Sequence, residues 1–168
     1  ALPVLDRVIK EALRALTPTI AFGRVAARRT SLLGYEIPEG SEVIYSPHML
    51  HKDPAVFEDP KRFDPSRWLR HKPGTYEYMP FGVGPRTCLG VSYGMTQLRL
   101  VVAMVLQAHR LDVIAGTQID IKSAVVIGPK KPIYMRVSPQ DGQFERSPAP
   151  VSGFIHQMVD LPNAAAAG

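Results

Sequence analysis

Cys88, the only cysteine of the chain, has the side chain best suited to chemistry. It lies in a glycine-rich stretch, residues 81–90, directly before an apolar segment that begins at Val91. Glycines allow left-handed backbone angles and a close approach to a bulky group. A lone cysteine is most often an inert small hydrophobe, but one near the start of a helix is favoured as a thiolate. We therefore take Cys88 as the candidate reactive residue.

The ionisation of this thiol requires a partner. An ordinary thiol has a pKa of about 8.5, so its full ionisation at pH 7 needs roughly 2 kcal/mol. A helix N-terminus contributes about 0.3–1 kcal/mol, whereas a coordinated metal deprotonates its thiol outright. One cysteine cannot form a tetrathiolate zinc site, an iron–sulfur cluster or an internal disulfide. A single axial thiolate on a haem iron fits the count.

Two further patterns carry weaker signals. His48 and His51 are three residues apart, but no third ligand follows at zinc-like spacing, so a metal role is the less favoured interpretation. The Gly82–Gly84 pair lacks the Gly-Lys-Ser/Thr ending of a phosphate loop, which excludes that function.

Composition limits the class of protein. With 168 residues and 45% apolar content, the chain can form one domain. Its net charge of +5 is scattered, and no basic stripe or aromatic platform indicates a nucleic-acid partner. No apolar run reaches the length of a membrane span. Because a helical pattern begins within a few residues of Ala1, we expect the chain to be cut from a longer protein.

The elements predicted around Cys88 are few. Apolar spacing indicates a helix over 2–16, on which Glu11 and Arg14 share a face. A small antiparallel sheet with a hairpin at 34–41 is expected within 17–49, and an irregular segment over 71–80. A buried helix over 91–109 and a closing hairpin over 111–137 follow. Beyond 146 we expect a disordered tail, with one short ordered patch at 154–161.

Residues 81–90 resemble the signature Phe-x-x-Gly-x-Arg-x-Cys-x-Gly of the cytochrome P-450 haem-thiolate monooxygenases. All five fixed positions fit, at Phe81, Gly84, Arg86, Cys88 and Gly90. Three more stretches resemble the same family in the expected order: Glu-x-x-Arg at 11–14, Gly-Tyr-x-Ile-Pro-x-Gly at 34–40, and a double Pro-x-x-aromatic passage at 60–68. The resemblance implies the C-terminal third of the cytochrome P-450 fold, mainly α with small antiparallel β-sheets (α+β), over residues 1–138. Residues 139–168 are expected to be a mostly disordered tail.

The resemblance also implies the site. Cys88 would be the axial ligand of haem b (iron protoporphyrin IX), Phe81 would shield the sulfur, and the loop amides would tune it. The haem-binding residues implied are Arg24, Phe81, Gly82, Gly84, Arg86, Cys88 and Gly90, with Arg24 and Arg86 on the propionates.

A structural trio of Glu11, Arg14 and a later arginine is implied beneath the haem loop. The family's Pro-Glu-Arg-Phe is replaced here by Pro65-Ser66-Arg67-Trp68, so the third member is assigned to Arg67 and not to Arg62. The serine puts a secondary pairing in doubt.

The implied function is insertion of one oxygen atom of dioxygen into an apolar organic substrate, with electrons from a ferredoxin or an NADPH-dependent reductase. Substrate-pocket residues implied are Ile20, Ala21, Phe22, Ala124, Val125 and Val126. The chain has no counterpart of the family's distal acid–alcohol helix, so we expect it to be inactive alone. The alternatives are a non-catalytic haem-binding or scaffold product and a haem-thiolate isomerase or dehydratase. A cytoplasmic location is expected, with an endoplasmic-reticulum anchor in a preceding segment as the alternative.

Overall fold

The first element is the amphipathic helix α1 (Pro3–Ala15), close to the predicted 2–16. Pro3 in the first turn costs no helical hydrogen bond, because an N–H group at that position would have no acceptor within the helix. Its buried residues are Ile9, Glu11, Arg14 and Ala15. The structure, a computed structural model, describes residues 2–123, 126–143 and 149–161.

Two separate two-stranded ladders follow, where one small sheet was predicted. β1 (Phe22–Val25) pairs with β4 (Glu42–Tyr45), so that Phe22 lies opposite Tyr45. β2 (Thr30–Leu32) pairs with β3 (Tyr35–Ile37). The hairpin predicted at 34–41 is wrong in position, since its turn is at Leu33 and Gly34, both at positive φ. Gly34 takes that angle without strain, and this sets the turn.

Short helices and an irregular segment lead to the cysteine. α2 (Pro47–Leu50) is capped by Ser46, whose side chain accepts from the amide of Met49, and α3 is Arg67–Arg70. The chain then runs without regular structure, as predicted for 71–80, to a single 3-10 turn at Gly84–Arg86.

Helix α4 (Val91–Ala108) follows the cysteine loop and corrects one prediction. It was expected to be buried, but none of its residues is buried within the described part of the chain. It packs against α1, where Arg99 Nε lies 2.5 Å from Asp6 Oδ1. Several of its apolar side chains, among them Leu100 and Met104, are exposed in the described part of the chain.

The closing hairpin is present as two nested antiparallel ladders. The outer ladder joins β5 (His109–Val113) to β8 (Met135–Pro139), and the inner one joins β6 (Ile121–Lys122) to β7 (Gly128–Pro129). The predicted hairpin over 111–137 therefore lies in the correct part of the chain, and the α+β class is confirmed.

Residues 149–161 pack against the fold and differ from the disordered tail expected there. Val151, Ile155 and Val159 form a buried cluster with Ala15 of α1, and Ile155 begins the short helix α5 (Ile155–Met158). The amide of Ile119 donates to the carbonyl of Ser152 at 2.8 Å. This extends the short patch predicted at 154–161, while 144–148 and 162–168 lie outside the described residues.

No helix in the described residues is both long and apolar enough to span a bilayer.

Candidate functional site

Glu11 and Arg14 form a buried ion pair on α1. Arg14 donates from Nε to Glu11 Oε2 at 3.0 Å and from Nη2 to Glu11 Oε1 at 2.8 Å, a two-pronged arrangement. Both side chains have no exposed surface. Arg14 Nη1 also donates to the carbonyls of His51 and Pro60, each at 2.8 Å. The three-residue spacing on α1 thus produces a pair whose charges are bonded on all sides.

Arg67, at the start of α3, completes this cluster. Its Nε lies 3.5 Å from Glu11 Oε1, and its side chain is 4% exposed. Its guanidinium also donates to the carbonyls of Glu58 and Asp59. Arg62 contributes only its backbone carbonyl, 3.3 Å from Arg14 Nη2. The structure therefore places Arg67, and not Arg62, beside the carboxylate.

The serine at 66 belongs to a neighbouring exposed network. Ser66 and Arg70 both donate to Asp64, and the Arg70 Nη2 to Asp64 Oδ2 distance is 2.6 Å. These two hydrogen bonds, of which the one from Ser66 has the larger effect, hold the pKa of Asp64 well below its usual range. Arg70 therefore pairs with Asp64 in this segment.

Two donors to Glu11 were missed at the sequence level. The indole Nε1 of Trp68 donates to Glu11 Oε2 at 3.1 Å, and the amide of Asp64 donates to Oε1 at 3.0 Å. The only local signal was the aromatic position of the Pro-x-x-aromatic passage. With them the carboxylate is fully bonded, as a buried charge requires.

The loop at 81–90 begins from a buried anchor and ends exposed. Met79 is 7% exposed, whereas Cys88 is an exposed free thiol. The Cys88 amide donates to the Phe81 carbonyl at 2.9 Å, which closes the loop. Gly82 and Gly84 take φ of 71° and 74°, values that other side chains rarely adopt. The glycines therefore allow the turn that presents the thiol.

A cavity of about 450 Å³ borders this loop. Two exposed arginines from distant parts of the chain meet there, Arg24 of β1 and Arg86 of the loop. Arg24 lies over the ring of Tyr45, with its Cζ 5.8 Å from the centroid. The lining residues are Arg24, Tyr45, Tyr76, Met79, Val83, Pro85 and Arg86.

The lining residues fit a flat, dianionic group. Two guanidinium groups match carboxylates, and aromatic and apolar side chains match a planar apolar body. The thiol of Cys88 is on the same loop, although Cys88 does not itself line this cavity. Within the described part of the chain, no cluster of three or more His, Cys, Asp or Glu side chains could hold a metal ion. The two arginines, the apolar lining and the neighbouring thiol suit haem.

The predicted substrate residues lie on two segments that are hydrogen-bonded neighbours. The amide of Ile127 donates to the carbonyl of Pro18 at 2.8 Å, joining the inner hairpin to the segment after α1. Ile20 is half-buried and Ala21 exposed. The ring of Phe22 faces Gly82, 3.6 Å from where a Cβ would lie there. Val126 is 52% exposed, and Ala124 and Val125 lie outside the described residues.

The chain matches the sequence profile of the cytochrome P-450 family over residues 1–137. It belongs to the cytochrome P-450 family. The match includes α1, the buried cluster of Glu11, Arg14 and Arg67, the cysteine loop and α4, and it ends within β8.

Curated P-450 relatives are considerably longer than this chain. It is 38% identical to the mouse (Mus musculus) thromboxane-A synthase over 143 residues, which are 81% of the chain and 26% of that protein. It is 44% identical to the Streptomyces melanosporofaciens cyclooctatin synthase over 117 residues, covering 68% of the chain and 26% of that protein. The chain therefore spans about a quarter of the length of these relatives.

A solved P-450 structure has the same fold over most of this chain. The retinoic-acid-bound cyanobacterial CYP120A1 superposes with a TM-score of 0.74 at 27% identity, over 82% of this chain and 32% of that one. The helices and small sheets described above are thus a portion of the P-450 fold.

Proposed function

We propose that this chain is the haem-binding portion of a haem-thiolate monooxygenase that inserts one oxygen atom of dioxygen into an apolar organic substrate. One observation carries the proposal: the exposed thiol of Cys88 lies on a glycine loop that lines a cavity together with Arg24 and Arg86. Membership of the P-450 family supports it.

The residues would divide the work as follows. Cys88 Sγ would bind the iron of haem b, and Phe81 would shield it. Amides of Gly82, Gly84 and Gly90 would tune the sulfur through its surroundings, while Arg24 and Arg86 would bind the propionates. When bound, a thiolate-ligated haem supplies the electron density that favours cleavage of dioxygen.

The structural trio would act through the loop and not on the substrate. Glu11, Arg14 and Arg67 are buried. Glu11 and Arg14 are hydrogen-bonded to each other. Arg67 donates to the carbonyls of Glu58 and Asp59, while its Nε faces Glu11 Oε1 at 3.5 Å without a hydrogen bond. Glu11 accepts from the Asp64 amide and Arg14 donates to the carbonyls of Pro60 and Arg62, so these bonds join segment 58–68 to α1. We propose that they fix the scaffold on which Cys88 is presented.

The substrate would be apolar because the side chains proposed for its pocket, Ile20, Ala21, Phe22 and residues 124–126, carry no charge. Electrons would come from a ferredoxin or an NADPH-dependent reductase. We propose a cytoplasmic enzyme, with anchoring at the endoplasmic reticulum through a preceding segment as the alternative.

We further propose that the 168 residues alone do not turn over. Two observations support this: α4 and the cysteine loop are largely exposed in the part of the chain described, and the chain spans about a quarter of the relatives' length. Activity would need a protein of the relatives' length that contains this chain.

The deciding experiment uses such a protein with a panel of apolar substrates. We expect product that carries one atom of isotopically labelled dioxygen and that requires NADPH and a reductase. Conversion without dioxygen or NADPH would contradict the proposal and favour an isomerase or dehydratase on the same scaffold. Purified protein that binds no haem would contradict both.

A further inference from the structure

His51, just after α2, is a buried histidine with both ring nitrogens engaged. Its side chain has no exposed surface. The Met79 amide donates to His51 Nε2 at 3.0 Å, and Nδ1 lies 2.8 Å from Thr17 Oγ1. An amide N–H can only donate, so Nε2 must be unprotonated and the ring proton must be on Nδ1.

The direction of the remaining bonds then follows. Nδ1–H donates to Thr17 Oγ1, and the Thr17 hydroxyl donates to the Arg14 carbonyl at 3.0 Å. This gives a directed chain of hydrogen bonds from Met79 through His51 and Thr17 to α1. Each buried polar atom in it has a partner, so any change in the ring proton leaves one of them unsatisfied.

This chain of bonds lies between the buried ion cluster and the cysteine loop. Arg14 of the cluster donates to the His51 carbonyl at 2.8 Å. Met79, at the other end, is 7% exposed, and its carbonyl accepts from the Gly82 amide at 3.0 Å. The residue held by His51 is therefore the point from which the loop at 81–90 departs.

The surroundings of the ring favour its neutral form. The charged and titratable groups that act on the ring are Arg14 on α1, His48 on α2 and Lys52 just after α2. Glu11 pairs with Arg14, and the ring centroid of Tyr78 lies 5.3 Å away. Burial first, and then the positive charge of Arg14, lower the pKa of His51 to about 4. At pH 7 the ring can therefore accept from Met79.

We propose that His51 is a positioning residue for Cys88: in its neutral, Nδ1-protonated form it holds the Met79 amide and so sets the start of the loop that presents the thiol. It rests on the proposed function only for the role of Cys88 as a ligand. The hydrogen-bond argument concerns the chain itself.

The test compares His51→Gln with His51→Asn in the 168-residue chain, labelled with ¹⁵N. Glutamine places its side-chain oxygen near the position of Nε2 and keeps an acceptor for Met79. Asparagine reaches only the position of Nδ1, beside Thr17. In the wild type we expect the ¹⁵N shifts of a neutral ring protonated at Nδ1.

In His51→Asn we expect the Met79 amide to exchange with solvent about tenfold faster, as for loss of a buried acceptor, and the Cys88 amide signal to shift. In His51→Gln both should stay close to the wild type. The Gln140 amide, bonded to the Ala108 carbonyl at 3.1 Å, is the remote control.

Three results would overturn the proposal: a ring protonated at Nε2, Met79 protection unchanged in His51→Asn, or faster exchange at Met79 with no change at Cys88. Equal loss of protection at Met79 and Gln140 would also contradict it, because the whole fold would then be affected. None of these measurements involves haem, so failure of a protein of the relatives' length to bind haem would contradict the proposed function alone and leave this pattern unaffected.

Discussion

Glu11 is the buried carboxylate beside two buried guanidinium groups, those of Arg14 and Arg67. It accepts from Arg14, Trp68 and the Asp64 amide, so neutralising it leaves two buried guanidinium groups without their counter-charge. Glu11→Gln is expected to lower the free energy of unfolding by about 3–5 kcal/mol, measured by urea denaturation.

The matched control for Glu11→Gln is Glu36→Gln. Glu36 pairs with Arg29 at 3.8 Å, with the two side chains 70% and 79% exposed, and solvent screens such pairs. We expect almost no change there. A Glu11→Gln variant as stable as Glu36→Gln would show that the cluster is dispensable.

His51 makes stability depend on pH. Its pKa is about 4 in the folded chain against about 6.5 when unfolded. Between these values the unfolded chain binds more protons, so the contribution is complete above pH 6.5 and is lost as the pH falls to about 4. We expect a loss on the order of 3 kcal/mol.

Denaturation of the wild type and of His51→Gln from pH 7 to 4 measures this dependence. Burial also lowers the pKa of His48, which adds a dependence of the same sign, so the difference between the two proteins is the quantity to compare. Parallel pH curves for the two would contradict the assignment.

Prediction from sequence succeeded and failed at this scale for physical reasons. The Glu11–Arg14 pair was found because it depends on a short spacing, and the role of Cys88 as a ligand stays a prediction. The sequence suggested only a weak metal role for His51, since its partners Thr17 and Met79 are 34 and 28 residues away. Such distant pairings leave no local pattern.

At the scale of elements, periodicity and turn residues predicted α1 and the closing hairpin correctly. The prediction that α4 is buried was wrong. Apolar composition indicates which surface gains from burial, but not which surface is available to cover it. Here α1 covers one side of α4, and its exposed residues include Leu100, Val101 and Met104.

The segment 149–161 carries an element-scale prediction. It lies beyond the family match, which ends at 137, yet supplies Val151, Ile155 and Val159 to the cluster around Ala15. Ile155→Ala should cost about 2–5 kcal/mol in the free energy of unfolding, because it leaves a cavity.

The neighbouring Phe154→Ala is the control for this substitution. Phe154 is 53% exposed, against 4% for Ile155, so we expect a change of about 0.5 kcal/mol or less. Thermal or urea denaturation compares the two variants. Equal, small effects would show that the segment is not docked on α1 in solution.

At the scale of the whole molecule, the family could be predicted from the signature residues alone, because their order and spacing are specific. The proportion of apolar residues predicted a core but not its extent. Within the described residues the buried apolar side chains are few, and an apolar groove of about 470 Å³ lies open between α1 and α4. How much surface is buried depends on the elements present, and this chain covers about a quarter of its relatives' length.

The central claim is that the thiolate of Cys88 binds haem iron, and the absorption spectrum of the reduced, carbon-monoxide-bound protein tests it most directly. In a protein of the relatives' length that contains this chain, we expect the red-shifted Soret band of thiolate-ligated haem, and we expect Cys88→Ala to abolish it. This chain holds no second cysteine that could replace the ligand. A Soret band that stays red-shifted in Cys88→Ala, or that is absent from the haem-loaded wild type, would contradict the account.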